Sequence, residues 1–156
     1  MSNDMREDFL ARVYAIMGTV PGITSTARNR GLRSNEDRPG MVLLDGDESP
    51  RVSMQSQRRQ GRAAMMAPQI IEIRPEVYIL MQEGRPKNDA VGTELNTFRI
   101  VFMKKLWEDT TLATILGSNG SIVYNGLQTD LKSGSAMSGE MRLDFVANYV
   151  LKPTAT

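Results

Sequence analysis

Three carboxylates stand close together in LLDGDES, where Asp45, Asp47 and Glu48 follow a short apolar run. Oxygen ligands at that spacing could hold a hard cation such as Mg²⁺ or Ca²⁺, and a bound cation could activate water for hydrolysis. Such a cation needs several converging oxygens. No EF-hand spacing follows and no second carboxylate motif stands elsewhere, so a solvated turn is the competing reading. The other group with chemical potential is cationic. Arg51, Arg58, Arg59 and Arg62 fall within SPRVSMQSQRRQGRAAMMA, residues 49–67, a stretch without an acid or an aromatic. Guanidinium groups pair with nucleic-acid phosphates or with the acidic groups of a protein partner. No base-stacking aromatics accompany these four, and an ordinary solvated loop is the third possibility.

The chain has no histidine and no cysteine. That removes the usual general base near neutral pH, the commonest zinc ligand and all thiol and disulfide chemistry. GSNGSIVYNG is rich in glycine but lacks the GK[ST] ending of a phosphate loop, and it opens no helix; it reads as two turns flanking a strand. No nucleophile and base stand at a working spacing, so the residues point away from an enzyme and call for no cofactor.

The elements that would position these groups follow from periodicity. Met5, Phe9, Val13, Ile16, Met17 and Val20 recur at three and four, which predicts a helix over residues 4–18. Asp4 and Glu7 make a capping-box-like start, and Gly18 and Pro21 end it. Val91, Leu95, Phe98, Phe102 and Leu106 predict a second helix over 90–108. Asp109 or Thr110 then caps a short helix closed by Gly117. GITSTAR and MVLLDGDE read as strands, the second ended by the Asp45-Gly46 turn. In PQIIEIRPEVYILMQ, residues Ile71, Ile73, Val77, Ile79 and Met81 share one face, and Pro75 marks an edge, a bulge or a break. EGRPKND and LKSGSAMSG read as loops, and residues 49–67 as an extended basic arm or splayed hairpin.

The last strand, GEMRLDFVANYVLKP, alternates strictly. Met141, Leu143, Phe145, Ala147, Tyr149 and Leu151 point one way; Arg142, Asp144, Val146, Asn148 and Val150 point the other. Two valines on an otherwise polar face raise the question of what covers them, the chain's own helices or a second copy. The order of elements predicts an α+β fold in one domain over 1–156: a mixed, largely antiparallel sheet with helices packed mainly on one face, plus the arm. With 156 residues, 40% hydrophobic and 24% charged, the chain has the make-up of an ordinary globular domain. A formal net charge of +1 supplies no global field toward nucleic acid or membrane. MSNDMREDFLARVY has no apolar core run, so it does not read as a signal peptide, and no window is apolar enough for a membrane span; the expected place is the cytoplasm.

Several stretches are familiar together: VPGITSTARNRG, RPGMVLLDGDE, PQIIEIRPEVYILM, then GTELNTFRIVFMKKLWEDTTLATILGSNGSIVYNGLQTDL and the closing GEMRLDFVANYVLKP. In content and order they resemble the tail terminator (minor tail, tail completion) proteins of long-tailed bacteriophages, over most of the chain and weakly in the arm. The resemblance implies an α+β structural protein without catalytic residues or cofactor. It implies a hexameric ring that sits on the last ring of tail-tube protein, stops its polymerisation and offers its other face to the head connector or stopper. Double-stranded DNA would pass through the lumen without specific binding, and the protein would reside in the virion tail or neck after assembly in the host cytoplasm.

The resemblance gives no residue-level site. From the residues themselves, the expected contact with a partner is the arm, through Arg51, Arg58, Arg59 and Arg62 with the adaptable pair Met65 and Met66. The expected contact between subunits is the second face of the last strand, through Val146 and Val150. Three other readings stay open: a head-completion or stopper protein of the neck, a small nucleic-acid-binding module using the arginines, and a metal-dependent hydrolase using Asp45 to Glu48.

Overall fold

The computed structural model describes residues 4–50, 69–81, 85–86, 91–132 and 136–151. Its centre is one strand. β8 (Ala136–Leu151) alternates apolar and polar, and both of its edges are paired. On one side lies β7 (Ser121–Lys132), in register from Ser121↔Asn148 to Lys132↔Ser138. On the other side β4 (Gln69–Ile73) and β5 (Glu76–Leu80) lie end to end in a single lane, from Gln69↔Leu151 to Leu80↔Glu140 with no slip of register. β2 (Gly40–Leu44) and β3 (Glu48–Pro50) form the next lane, antiparallel to β5 and β4. β1 (Ser25–Arg28) runs parallel to β2 at the margin, and β6 (Arg85–Pro86) pairs the start of β8. The fold is therefore α+β, with a mixed and mostly antiparallel sheet.

Helices cover one face of this sheet. α1 (Met5–Met17) buries Phe9, Leu10, Val13, Ile16 and Met17; α2 (Val91–Glu108) buries Val91, Leu95, Phe102 and Leu106; α3 (Thr110–Leu116) buries Leu112 and Leu116. Beneath them the odd-numbered face of the lanes supplies Ile71, Ile73, Val77, Ile79, Met141, Leu143, Phe145, Ala147 and Tyr149, all in one core cluster. The alternation predicts this face correctly apart from Leu151, which is exposed at the end of β8. Phe145 is the aromatic hub, with Phe102 edge-on at 6.2 Å and Trp107 and Tyr124 tilted against it at 6.3 and 5.9 Å.

Pro75 sits in an interior lane, where a missing N–H is costly. It accepts from the Phe145 N–H at 3.3 Å, but proline has nothing to donate in return. The neighbouring lane bends at the same level. Asp45, Gly46 and Asp47 face only Arg74 and Pro75, so one extra residue is inserted between β2 and β3. Asp47 recovers a bond there, its carbonyl accepting from the Arg74 N–H at 3.0 Å. Gly46 has φ +75, and a Cβ on it would overlap the Arg74 carbonyl. Asp45-Gly46 thus kinks a lane that continues into β3; it is no terminating turn.

Two further readings are corrected. Asn125-Gly126 makes no turn: β7 runs through it with a register shift between Tyr124 and Gly126, whose φ is +118, a bulge that glycine alone adopts easily. LKSGSAMSG is mostly ladder, since Leu131, Lys132 and Ala136 to Gly139 are paired. Small residues enter these strands because long partners carry them, not through propensity of their own. Arg85–Pro86, within the expected loop EGRPKND, also joins β8.

Replacing Gly46 with alanine is expected to cost at least about 2 kcal/mol, from the left-handed backbone and the overlap together. Gly92→Ala on α2, where the added methyl meets open space, is expected to be neutral or mildly stabilising. Denaturant unfolding of the two variants measures the contrast.

Candidate functional site

The arm arginines Arg51, Arg58, Arg59 and Arg62, with Met65 and Met66, lie outside the described residues. The roots of that segment are placed. β3 and β4 are paired from Glu48↔Ile73 to Pro50↔Ile71, so residues 51–68 leave and re-enter at neighbouring points on the sheet margin.

Val146 and Val150 stand on the face opposite the helices and are half-buried. No described helix covers them: the helical residues pack on the odd-numbered face. Their cross-strand neighbours are apolar as well. Val123 of β7 lies opposite Val146, and Ile70 of β4 lies opposite Val150. The four form a stripe across three lanes, with Asn148 among them donating from Nδ2 to the Ser121 hydroxyl at 3.3 Å. Ion pairs border the stripe, Arg74 with Glu72 at 2.8 Å and Arg142 with Asp144 at 3.1 Å. Elsewhere this face is closed by the chain itself, where Ala27, Val42 and Leu80 pack with Leu32, Leu44 and Tyr78. Sequence reasoning missed Ile70 and Val123, because each alone looks like an ordinary strand residue and only the register joins them to the valines.

Asp45 and Glu48 of LLDGDES take different partners. Asp45 receives Arg28 on both oxygens, Nε at 2.7 Å and Nη2 at 2.9 Å, and its own N–H donates to the Asn29 side-chain oxygen at 3.0 Å. Arg28 also spans both oxygens of Glu7 on α1, at 2.8 and 2.9 Å. Glu7 therefore serves as a strut between α1 and β1 in place of the expected reach back toward the cap. The cap itself is as read: Asp4 accepts from the N–H groups of Arg6 and Glu7. Glu48 turns the other way and accepts from the Tyr149 hydroxyl. Arg6 completes the joint by donating to the Gly46 carbonyl at 2.9 Å. An open hollow of about 620 Å³ lies here, lined by Asn29, Leu44, Asp45, Gly46, Asp47, Arg74 and Glu76. Its best-placed carboxylate is already neutralised by Arg28. Among the described residues no three histidine, cysteine, aspartate or glutamate side chains converge as a metal site. The hollow is built as a structural joint.

A second bidentate pair fastens the helices. Arg12 of α1 donates to Asp109 at 2.9 and 2.6 Å, and the same carboxylate caps α3 by accepting from the Leu112 N–H at 2.7 Å. Hydrogen bonding from Arg12 leads in holding the Asp109 carboxyl below its ordinary range, against partial burial. Arg28 does the same for Asp45 and Glu7. Burial first, then Glu48, pushes the Tyr149 hydroxyl up.

No helix among the described residues is long and apolar enough to cross a membrane. No protein-family model matches the chain, and no curated protein matches it either.

The three depressed carboxyls set a pH dependence. Each contributes stability that is fully present above its unfolded pKa of about 4 and is lost as pH falls through the lower folded value. Thermal melts are expected to be level from neutrality down to about pH 5 and to fall steeply below about pH 4. Asp109→Ala removes a cap and an ion-pair partner together. It is expected to cost about 1–3 kcal/mol at pH 7 and to make the acid loss shallower.

Proposed function

We propose that this chain is a structural virion subunit, a tail terminator that assembles as a six-membered ring on the end of a phage tail tube. The sequence resemblance supplies the role, and the α+β architecture agrees with it. The observation that carries the reading is the inequality of the two sheet faces. One is closed by α1, α2 and α3, while the other leaves Ile70, Val123, Val146 and Val150 without a described helix over them. Ring closure needs two unlike surfaces that fit each other, and the two faces of this layer are unlike. In this reading Val146 and Val150 face a neighbouring subunit. The arm, rooted at the sheet margin, reaches the tube protein, and the opposite ring face meets the head connector. With a net charge of +1 per subunit, DNA passes through without being gripped.

Electron microscopy of the purified protein mixed with its tail-tube protein tests this. Six-fold rings capping one end of tubes of fixed length are expected. Binding to filled heads and never to tubes would move the chain to the stopper role, and a monomer that binds neither would remove the reading. Deleting residues 52–64 is expected to leave the circular dichroism spectrum intact while weakening tube attachment. Unfolding of that variant would show the arm to be part of the fold.

A further inference from the structure

The sheet ends on one side in β7, and β7 is unusual for an edge. Phe145 gives its N–H to Pro75, and the Gly139 carbonyl accepts from Met81, so the odd-numbered residues of β8 direct their backbone groups away from β7. The β7 residues opposite them, Ile122, Tyr124, Leu127, Thr129 and Leu131, therefore form the non-hydrogen-bonded pairs of the ladder. Their N–H and C=O groups point outward, along a strand of 12 residues with no described strand beyond it. Edges of this length are normally blunted by proline, by charge or by a covering element. Ser121 to Thr129 contain no proline and no charged residue, and only the bulge at Gly126 interrupts them.

Exposed apolar side chains flank the same edge. Among the described residues the large ones are Ile70, Ile100, Trp107, Val123, Leu127 and Leu151. All lie on α2, β4, β7 and β8; none lies on α1, α3, β1, β2, β3 or β5. Trp107, 51% exposed, leans on Phe145, whose β7 neighbour is Tyr124, so the flank of α2 borders the inner side of the edge. Val123 borders its outer side. Three of the six, Trp107, Leu127 and Val123, thus flank the edge itself.

We infer that the β7 edge, with Trp107 and Leu127 on one side of it and Val123 on the other, is a docking surface for a second copy of this chain, bound by strand addition. A strand edge of free donors and acceptors is met by another strand. This chain carries the complementary edge itself, since β1 and β3 are the last described strands on the opposite side. The inference deepens the ring reading by naming a contact, and rests on that reading only for the number of copies.

The test is the mass of the full-length protein in solution across a wide concentration range, with two variants. Thr129→Pro removes an outward N–H that β8 does not use, and Leu127→Lys places a charge on the rim. Wild type is expected to self-associate. Both variants are expected to keep the wild-type circular dichroism spectrum and to weaken association at least about tenfold. If Thr129→Pro fails to fold, Leu127→Lys decides. A wild type that is monomeric throughout, or folded variants that assemble as wild type does, overturns the inference. Six-membered rings that persist in both variants would sink the edge contact and spare the ring. Assembly that stops at two copies and is lost in the variants would spare the edge contact and sink the ring.

Discussion

The fold depends on the backbone of β8. It is the longest of the described strands, and it holds β7 along one edge and β4 and β5 along the other, with β6 at its start. Its odd-numbered side chains floor the core, so hydrogen bonding and burial are satisfied by the same residues. Every other element is placed relative to it. Even at the proline in the adjoining lane β8 keeps one bond, the Phe145 N–H donating to the Pro75 carbonyl, and the next lane bends at the same level. Gly46 is the residue that permits that bend.

Around this frame the charged residues act mainly as fasteners. Arg12 and Asp109 join α1 to the start of α3, and Arg28 clasps Glu7 and Asp45 across α1, β1 and the kink after β2. Bidentate pairs of this kind fix geometry as well as contributing energy. They also explain why carboxylates that look chemically promising in sequence have other work in the fold. Apolar exposure is sorted with equal economy: one half of the second sheet face is closed by the chain's own Leu32 and Tyr78, and on the other half no described helix covers the half-buried Val146 and Val150 or the exposed Ile70 and Val123.

Much of this was legible in the residues. Both long helices, the Asp109 cap and the buried faces of β4, β5 and β8 follow from period and spacing, because a helix stripe or a strand alternation is a local pattern. What was not legible is non-local. Arg12 and Asp109 stand 97 residues apart, and nothing in either neighbourhood announces the other. Gly126 reads as a turn when β7 is taken alone and becomes a bulge only because β8 continues past it. The parallel placement of β1 beside β2 and the gathering of Val123 with Val146 likewise depend on register. The candidate surface was half visible for this reason: the valines stood out in their own strand, while their partners did not.

The position of β8 along the chain has a kinetic consequence. β4 and β5 precede it by more than fifty residues, and as the polypeptide is synthesised they emerge long before the strand that pairs with them. Until residues 136–151 leave the ribosome, the β4–β5 lane has one side open and the aromatic cluster lacks Phe145. Closure of the sheet is thus a late, long-range event, with the loop-closure entropy that such contacts carry. The nascent chain spends that interval with the inner side of the β4–β5 lane unpaired, a state in which wrong pairings between neighbouring chains are easy.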